Sequence, residues 1–299
     1  MDLGIYELYG PNPEPEDAWE NYANIFLQKN SSETILNRYF LVTKTDGSDP
    51  GQHNGPNGYH TWGGNTPIQN LIDDYRMADG SEFDWSNPAH AAAPYENRDP
   101  RFYASVIYPG AELDGQLFNP YPGSDTPDEF DRSNFNNTET GFVMRKYLDV
   151  EDRSERTNSG INIIKMRYAD VLLMYAEAKI ELGEWSDPSV EAALNEIRDR
   201  VDMPDVELTS QEQAIELVRN ERAVELGTEG LRLPDIRRWS IAEEVMPGQP
   251  AGMDIWEDGE IVTVFGTWQR SFSAPRDYLW PIPVGERDLN DNLAQNPGY

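Results

Sequence analysis

The stretch from Ile163 to Gly183, IIKMRYADVLLMYAEAKIELG, limits the fold more than any other part of the chain. It holds no Pro or Gly before Gly183, so the run reads as a long helix that glycine closes. Asp187-Pro188 then supplies a helix cap and a first-turn proline, and Val190, Leu194, Ile197 and Val201 fall on one stripe of a second helix. Two helices joined by so short a turn must pack antiparallel. The small residues Ala192 and Ala193 permit close approach, giving one tetratricopeptide-like unit without a convincing second copy. Ser210 and Gln213 form a capping-box pair that opens a third helix through Leu226, and Pro234 begins a fourth.

Around this helical region, residues 161–246, the chain is loop-rich. Among 299 residues, 22 prolines and 23 glycines imply long connections between few regular elements. Residues 1–160 read as a loop-rich, ligand-facing region and 247–299 as loop plus a docked closing segment. Residues 15–29 carry Trp19, Tyr22, Ala23 and Phe26 on one helix face, and Thr34–Val42 is strand-like. Thr66 as N-cap, Pro67 in the first turn and Gln69 predict a helix presenting Ile68, Leu71, Ile72 and Tyr75 and stopping at Asp79-Gly80. Further strands are expected at Phe102–Tyr108, near Gly141–Tyr147 and at Glu260–Phe265. The fold class is mainly α: a tetratricopeptide-like helical scaffold with long loops and a few short strands, all within one domain.

Fifty-four acidic against 24 basic residues give a formal charge of -30, which repels phosphate backbones and argues against nucleic-acid partners. Lysine stands only at Lys29, Lys44, Lys146, Lys165 and Lys179, an acidic, arginine-biased composition suited to a saline medium. With no cysteine, disulfides, thiolate catalysis and cysteine-built metal sites are excluded. His53, His60 and His90 lack metal-ligand helical spacing, and no nucleophile elbow or phosphate-binding loop is present. No cofactor is expected. Asp46-Gly-Ser-Asp49 and Asp254–Glu260 are calcium-like in content but lack the full spacing of a calcium loop. Carboxylates are too abundant for any glycosidase pair to stand out, so the chain is read as a non-enzyme.

Aromatic residues in loops are more informative. Tyr59, His60 and Trp62 lie within a Gly/Asn/Pro loop that ends at Asn65, and Trp85 lies in another loop after Asp79-Gly80. Such residues either anchor a loop or offer a flat apolar face to a ligand, and sugar rings have C–H faces that stack on it. Tyr59 and Trp62 form the first candidate platform and Trp85 the second, with His60 and Asn65 as hydrogen-bonding partners for hydroxyls. Trp19, Tyr168, Tyr175 and Trp239 fit helical patterns and are expected to pack in the core.

Several segments together resemble the SusD/RagB family. They are Thr66-Pro67 through Tyr75 with Met77-Ala-Asp-Gly80; Asn97-Arg-Asp-Pro-Arg-Phe102; Arg167-Tyr-Ala-Asp170 onward to Ala178; and Asn195-Glu-Ile-Arg-Asp-Arg200. Arg219-Asn-Glu-Arg222 with Glu225-Leu226, Glu229-Gly-Leu-Arg232, Asp235-Ile-Arg-Arg-Trp239, Pro281-Ile-Pro283 and Gln295-Asn-Pro-Gly-Tyr299 follow in order. The resemblance implies a SusD-like fold and a non-enzymatic role: capturing oligosaccharide at the outer-membrane surface as a lid over a TonB-dependent transporter. It also implies a lipid anchor and an N-terminal helical region that this sequence does not show, so the chain is expected to be the C-terminal portion of such a protein, with exposed apolar side chains and poor solubility. Its binding residues follow no fixed motif. The alternative is a lid or adaptor subunit with little sugar binding of its own; a glycoside hydrolase is a third. In the ending YLWPIPVGERDLNDNLAQNPGY, Pro281 and Pro283 bias the backbone to an extended form, and Trp280 and Tyr299 are expected to be buried.

Overall fold

The computed structural model describes residues 4–42, 47–130, 137–150, 158–257 and 260–299. In chain order the first half carries α1 (Ala18–Asn24), β1 (Thr34–Arg38), α2 (Pro50–His53), α3 (Gln69–Asp74), α4 (Pro88–Ala92), α5 (Pro100–Ser105), β2 (Val106–Ile107), β3 (Glu112–Leu113), β4 (Gln116–Leu117) and β5 (Val143–Met144). The second half carries β6 (Ile163–Arg167), α6 (Tyr168–Glu181), α7 (Pro188–Asp199), α8 (Gln211–Glu225), α9 (Arg232–Arg238), α10 (Ala242–Val245), β7 (Ala251–Glu257), β8 (Glu260–Phe265) and α11 (Val284–Leu289). Among the described residues the strands join as antiparallel pairs, β1–β6, β2–β5, β3–β4 and β7–β8.

Helices α6, α7 and α8 are the rigid centre. Gly183 (φ +81°) ends α6 in a Schellman motif, its N–H donating to Ile180 O at 3.0 Å and that of Glu184 to Lys179 O at 2.9 Å. Asp187 caps α7 by accepting from Ser189 N at 3.0 Å. Ser210 caps α8 by accepting from Gln213 N at 3.2 Å, and Gln213 Oε1 reaches back to Thr209 N at 2.8 Å. Leu172, Leu173, Ala176, Val190, Leu194, Ile197 and Val218 form the helical core. Fully burying each large aliphatic side chain contributes roughly 1.5–3 kcal/mol, which outweighs the weak intrinsic stability of helices this short.

Three smaller cores join the loops to this centre. Tyr22, Phe26, Tyr147 and Val201 pack beneath α1; Ile72, Tyr75, Phe102, Phe142 and Met253 tie α3 and α5 to β7. Tyr59, Ile107, Phe118 and Leu148 hold the loop before α3.

Four local expectations are corrected. Residues 163–167 form strand β6, not the first turn of α6, because Ile163 and Ile164 pair with Arg38 and Asn37 of β1 and β-branched residues suit a pleated ladder. Thr66 and Pro67 precede α3 without capping it; Pro67 O instead accepts from Thr140 Oγ1 at 2.6 Å and the helix begins at Gln69. Phe102–Ser105 is helical because Asp99 accepts from Arg101 N at 2.9 Å and Pro100 fits the first turn. Trp280 is 69% exposed and Tyr299 47% exposed. The closing segment is held by polar bonds, not by inserted aromatics: Gln295 exchanges two hydrogen bonds with Ile282 (2.8 and 3.0 Å), Asn296 Nδ2 donates to Trp280 O (2.7 Å), and the Arg237 guanidinium lies 4.3 Å from the Trp280 ring centroid.

Beneath the helices lies a network of buried ions. Glu225, fully buried, accepts from Arg167 at 2.5 Å, Arg101 at 3.0 Å and Arg200. Glu33 accepts from Arg167 at 2.8 Å and Arg200 at 2.7 Å, and Glu229 from Arg167 at 2.7 Å and Lys146 at 2.9 Å. Burial alone would raise the Glu225 carboxyl, but Arg200, Arg167 and Arg101 together outweigh it and hold it well below the usual carboxylate range. Burial pushes the Lys146 ammonium down to about 8 despite Glu229 beside it. Asp99, Arg101, Arg167, Arg200, Glu225 and Glu229 all stand in the sequence segments that carry the family resemblance.

Candidate functional site

The loop leading to α3 is braced at nearly every turn. Asn54 Nδ2 donates to Lys146 O (2.7 Å), Gly55 N to Met144 O (3.2 Å), Gly58 N to Asp128 Oδ1 (2.6 Å) and Met144 N to Asn65 O (3.0 Å). Gly58 is required by that contact, since a Cβ there would stand 2.6 Å from Asp128 Oδ2. These bonds satisfy loop backbone that would otherwise lose water.

This bracing separates the first candidate residues. Tyr59 is 2% exposed, packed with Phe118 and Leu148, and its hydroxyl donates to Val150 O at 2.5 Å. Its ring is therefore a loop anchor and not a stacking surface. Trp62 is 47% exposed and stands edge-on to His53, centroids 5.2 Å apart at 78°. His60, in the left-handed region (φ 61°), is exposed on the same loop. Asn65 is exposed, but its side-chain N–H donates to Asn54 Oδ1 at 2.6 Å, which turns that donor toward the loop interior.

Trp85 forms a second exposed indole, 43% accessible. Its ring N–H donates to Asp73 Oδ1 at 3.0 Å, where Gln69 Nε2 also donates at 2.8 Å. Phe83 packs edge-on to Trp85 at 5.0 Å and lies beneath the Arg98 guanidinium, 4.1 Å from its ring centroid. Burial raises the Asp73 carboxyl despite these two donors. In the sequence Gln69 stood out only as a capping residue and Asp73 not at all, although their i, i+4 spacing on α3 places them on one helix face. No hydrogen bond or ring contact links the Trp62 loop to Trp85 among the described residues.

Of the helical aromatics, Tyr168 and Tyr175 pack against the helical core, and Trp239 is half-buried with its N–H on Glu177 Oε1 at 2.7 Å. Trp19 departs from expectation: it is half-buried and lines a cleft under Arg145. Asp46 and residues 258–259 of the two calcium-like stretches lie outside the described residues. Among the described residues no cluster of three or more His, Asp or Glu side chains is placed to hold a metal ion, and no helix is long and apolar enough to cross a membrane.

Fold and loops together define a helical-hairpin scaffold that displays indoles on braced connections. A family model described as the SusD family matches residues 19–299, and the chain belongs to that family. The SusD-like protein P2 of Formosa agariphila is 34% identical over 163 residues, covering 52% of this chain and 29% of that protein. A crystal structure of a SusD-like protein from Bacteroides fragilis superposes over 100% of this chain and 59% of its own, with 29% identity and a TM-score of 0.77. A SusD-like carbohydrate binding protein from the same species covers 98% and 59%, with 26% identity and a TM-score of 0.80. The fold is mostly helical and SusD-like, and the chain spans less than two thirds of these relatives' lengths.

Proposed function

We propose that this protein captures oligosaccharide or polysaccharide at the outer cell surface without hydrolysing it, and delivers it to a TonB-dependent outer-membrane transporter. The observation that carries the reading is the pair of exposed indoles, Trp62 on a loop held by buried hydrogen bonds and Trp85 fixed by its ring N–H on Asp73. A rigid apolar face with polar neighbours is what a sugar ring needs, and pre-ordering lowers the entropic cost of binding. Membership of the SusD family, which includes a carbohydrate binding protein of the same fold, supports it.

Isothermal titration of an oligosaccharide panel against wild type, Trp62→Ala and Trp85→Ala tests the reading. Binding that weakens about tenfold in either variant supports capture at that indole, a loss of about 1.4 kcal/mol. Wild-type protein that binds no member of the panel overturns it. The adaptor reading also has an observation in its favour: Leu36, Tyr39, Leu41 and Val42 are 57%, 63%, 61% and 57% exposed along one segment, a surface suited to a protein partner. Co-purification with a transporter, together with no sugar binding, selects that alternative.

A further inference from the structure

A cleft of about 390 Å³ opens between α1 and residues 145–150, near the lower end of the roughly 300–1,000 Å³ typical of small-molecule sites. Trp19 forms one wall. The Arg145 guanidinium lies over its ring, 4.5 Å from the centroid, which fixes the planar donor group by stacking.

Among the described residues the buried arginines of this acidic chain all have protein acceptors, Arg98 in the carbonyl oxygens of Pro94, Ile72 and Tyr75. Arg101, Arg167, Arg198, Arg200 and Arg222 each hold at least one carboxylate within 3.1 Å. Arg145 is half-buried, yet its side chain makes no ion pair or hydrogen bond among the described residues. Burial lowers its pKa, with Tyr108 and then Glu20 as the opposing influences. Its N–H groups therefore face the cleft with no protein acceptor among the described residues and are free to donate to a ligand.

We propose that the Trp19–Arg145 cleft is a carbohydrate site separate from the Trp62 loop, taking one or two neutral pyranose units. The inference rests on the glycan-capture reading and gives it a second point of attachment. Ala23, Leu27 and Leu148 offer apolar surface for ring C–H faces, while Arg145 and Asn24 donate to hydroxyl oxygens and Glu20 accepts from hydroxyl protons. Glu20 on the lining offsets the charge of Arg145, and the formal charge of -30 overall disfavours a uronate or sulfated sugar. The segment that walls the cleft also braces the Trp62 loop, through Asn54 on Lys146 O and Tyr59 on Val150 O. A glycan chain held at both places gains affinity from the fixed spacing.

The test titrates neutral gluco-, xylo-, manno- and galacto-oligosaccharides and an oligogalacturonate into wild type, Trp62→Ala, Arg145→Ala and Asn24→Ala, with a melting curve for each variant. Arg145→Ala is expected to weaken the neutral ligand about tenfold and Asn24→Ala about threefold, as hydrogen bonds of that strength imply. Trp62→Ala should leave residual binding that still depends on Arg145. If Arg145→Ala melts early, Asn24→Ala decides. Neutral glycan binding that is unchanged in both cleft variants overturns the cleft and leaves glycan capture standing. Tighter binding of the oligogalacturonate overturns the assignment to neutral sugars, and a wild type that binds nothing overturns cleft and capture together.

Discussion

Glu225 and Trp62 lie in segments equally rich in polar residues, and their surroundings solve opposite problems. Around Glu225, three guanidiniums meet one carboxylate out of reach of water, and each of them has at least one carboxylate partner inside the protein, with Arg200 Nε left unpartnered. Around Trp62, the braces are amide and carbonyl bonds with a single carboxylate, Asp128, and they satisfy the loop while leaving the indole outside. The first arrangement is buried beyond the reach of a ligand. The second holds shape and keeps an apolar face in reserve. Charged motifs that look chemical in the sequence thus build the scaffold here, and the exposed apolar faces stand on less conspicuous loop aromatics.

The largest expected effect breaks the scaffold side of that contrast. Glu225→Gln leaves Arg101, Arg167 and Arg200 facing an uncharged group inside the protein, and removing one partner of a buried ion pair costs about 3–5 kcal/mol. Urea denaturation should show that loss of stability. Glycan binding measured on the fraction still folded should be unchanged; a selective loss of sugar affinity at full stability would mean that the network belongs to the site.

Acidification should act on the same network next. The Glu225 and Glu229 carboxyls are held below their ordinary values, so in the folded state they stay ionised where the unfolded chain already takes up protons. Stability from these groups is complete above the unfolded pKa of about 4.3 and is lost as pH falls below it toward their folded values. Melting temperatures between neutral pH and pH of about 3 should fall mainly at the acid end, and Glu225→Gln should flatten that fall. An equal acid response in both proteins would remove Glu225 as its source.

Legibility followed the range of the interactions. The start of α7 was visible in Asp187-Pro188 and the close of α6 in Gly183, because a cap and a Schellman turn are made by neighbours in sequence. Strand β8 at Glu260–Phe265 was visible for the same local reason. Family membership was legible in the ordered motifs, but not that Arg101, Arg167 and Arg200 would meet at Glu225, since the partners lie 124, 58 and 25 residues away. Tyr59 and Trp62, three positions apart in one loop, could not be told apart by composition. The carbonyl that anchors Tyr59 belongs to Val150, 91 residues away. Trp19 fitted a helical stripe, and only the tertiary position of Arg145 places it on a cleft.

Tyr59→Phe sharpens the loop side. It removes the hydroxyl bonded to Val150 O while keeping the ring, and should destabilise by about 1–2 kcal/mol, with the carbonyl left lacking its donor. Because the ring is an anchor, glycan affinity should fall less than in Trp62→Ala. A titration in which Tyr59→Phe loses as much affinity as Trp62→Ala would return Tyr59 to the binding surface.

The closing segment gives the smallest effect and the cleanest separation of polar from apolar anchoring. Gln295 exchanges hydrogen bonds with both backbone groups of Ile282, and its Oε1 also accepts from Asn296 N at 2.8 Å. These bonds are partly exposed, so water replaces much of what Gln295→Ala removes, and the cost should be about 0.5–1.5 kcal/mol. Trp280→Ala, at an indole 69% exposed, forfeits chiefly its contact with Arg237 and should cost about 0.5–1 kcal/mol. Amide hydrogen exchange at Ile282 should then quicken in Gln295→Ala and stay near wild type in Trp280→Ala. The reverse order would mean that the aromatic docks the segment after all, as its proline-locked sequence first suggests.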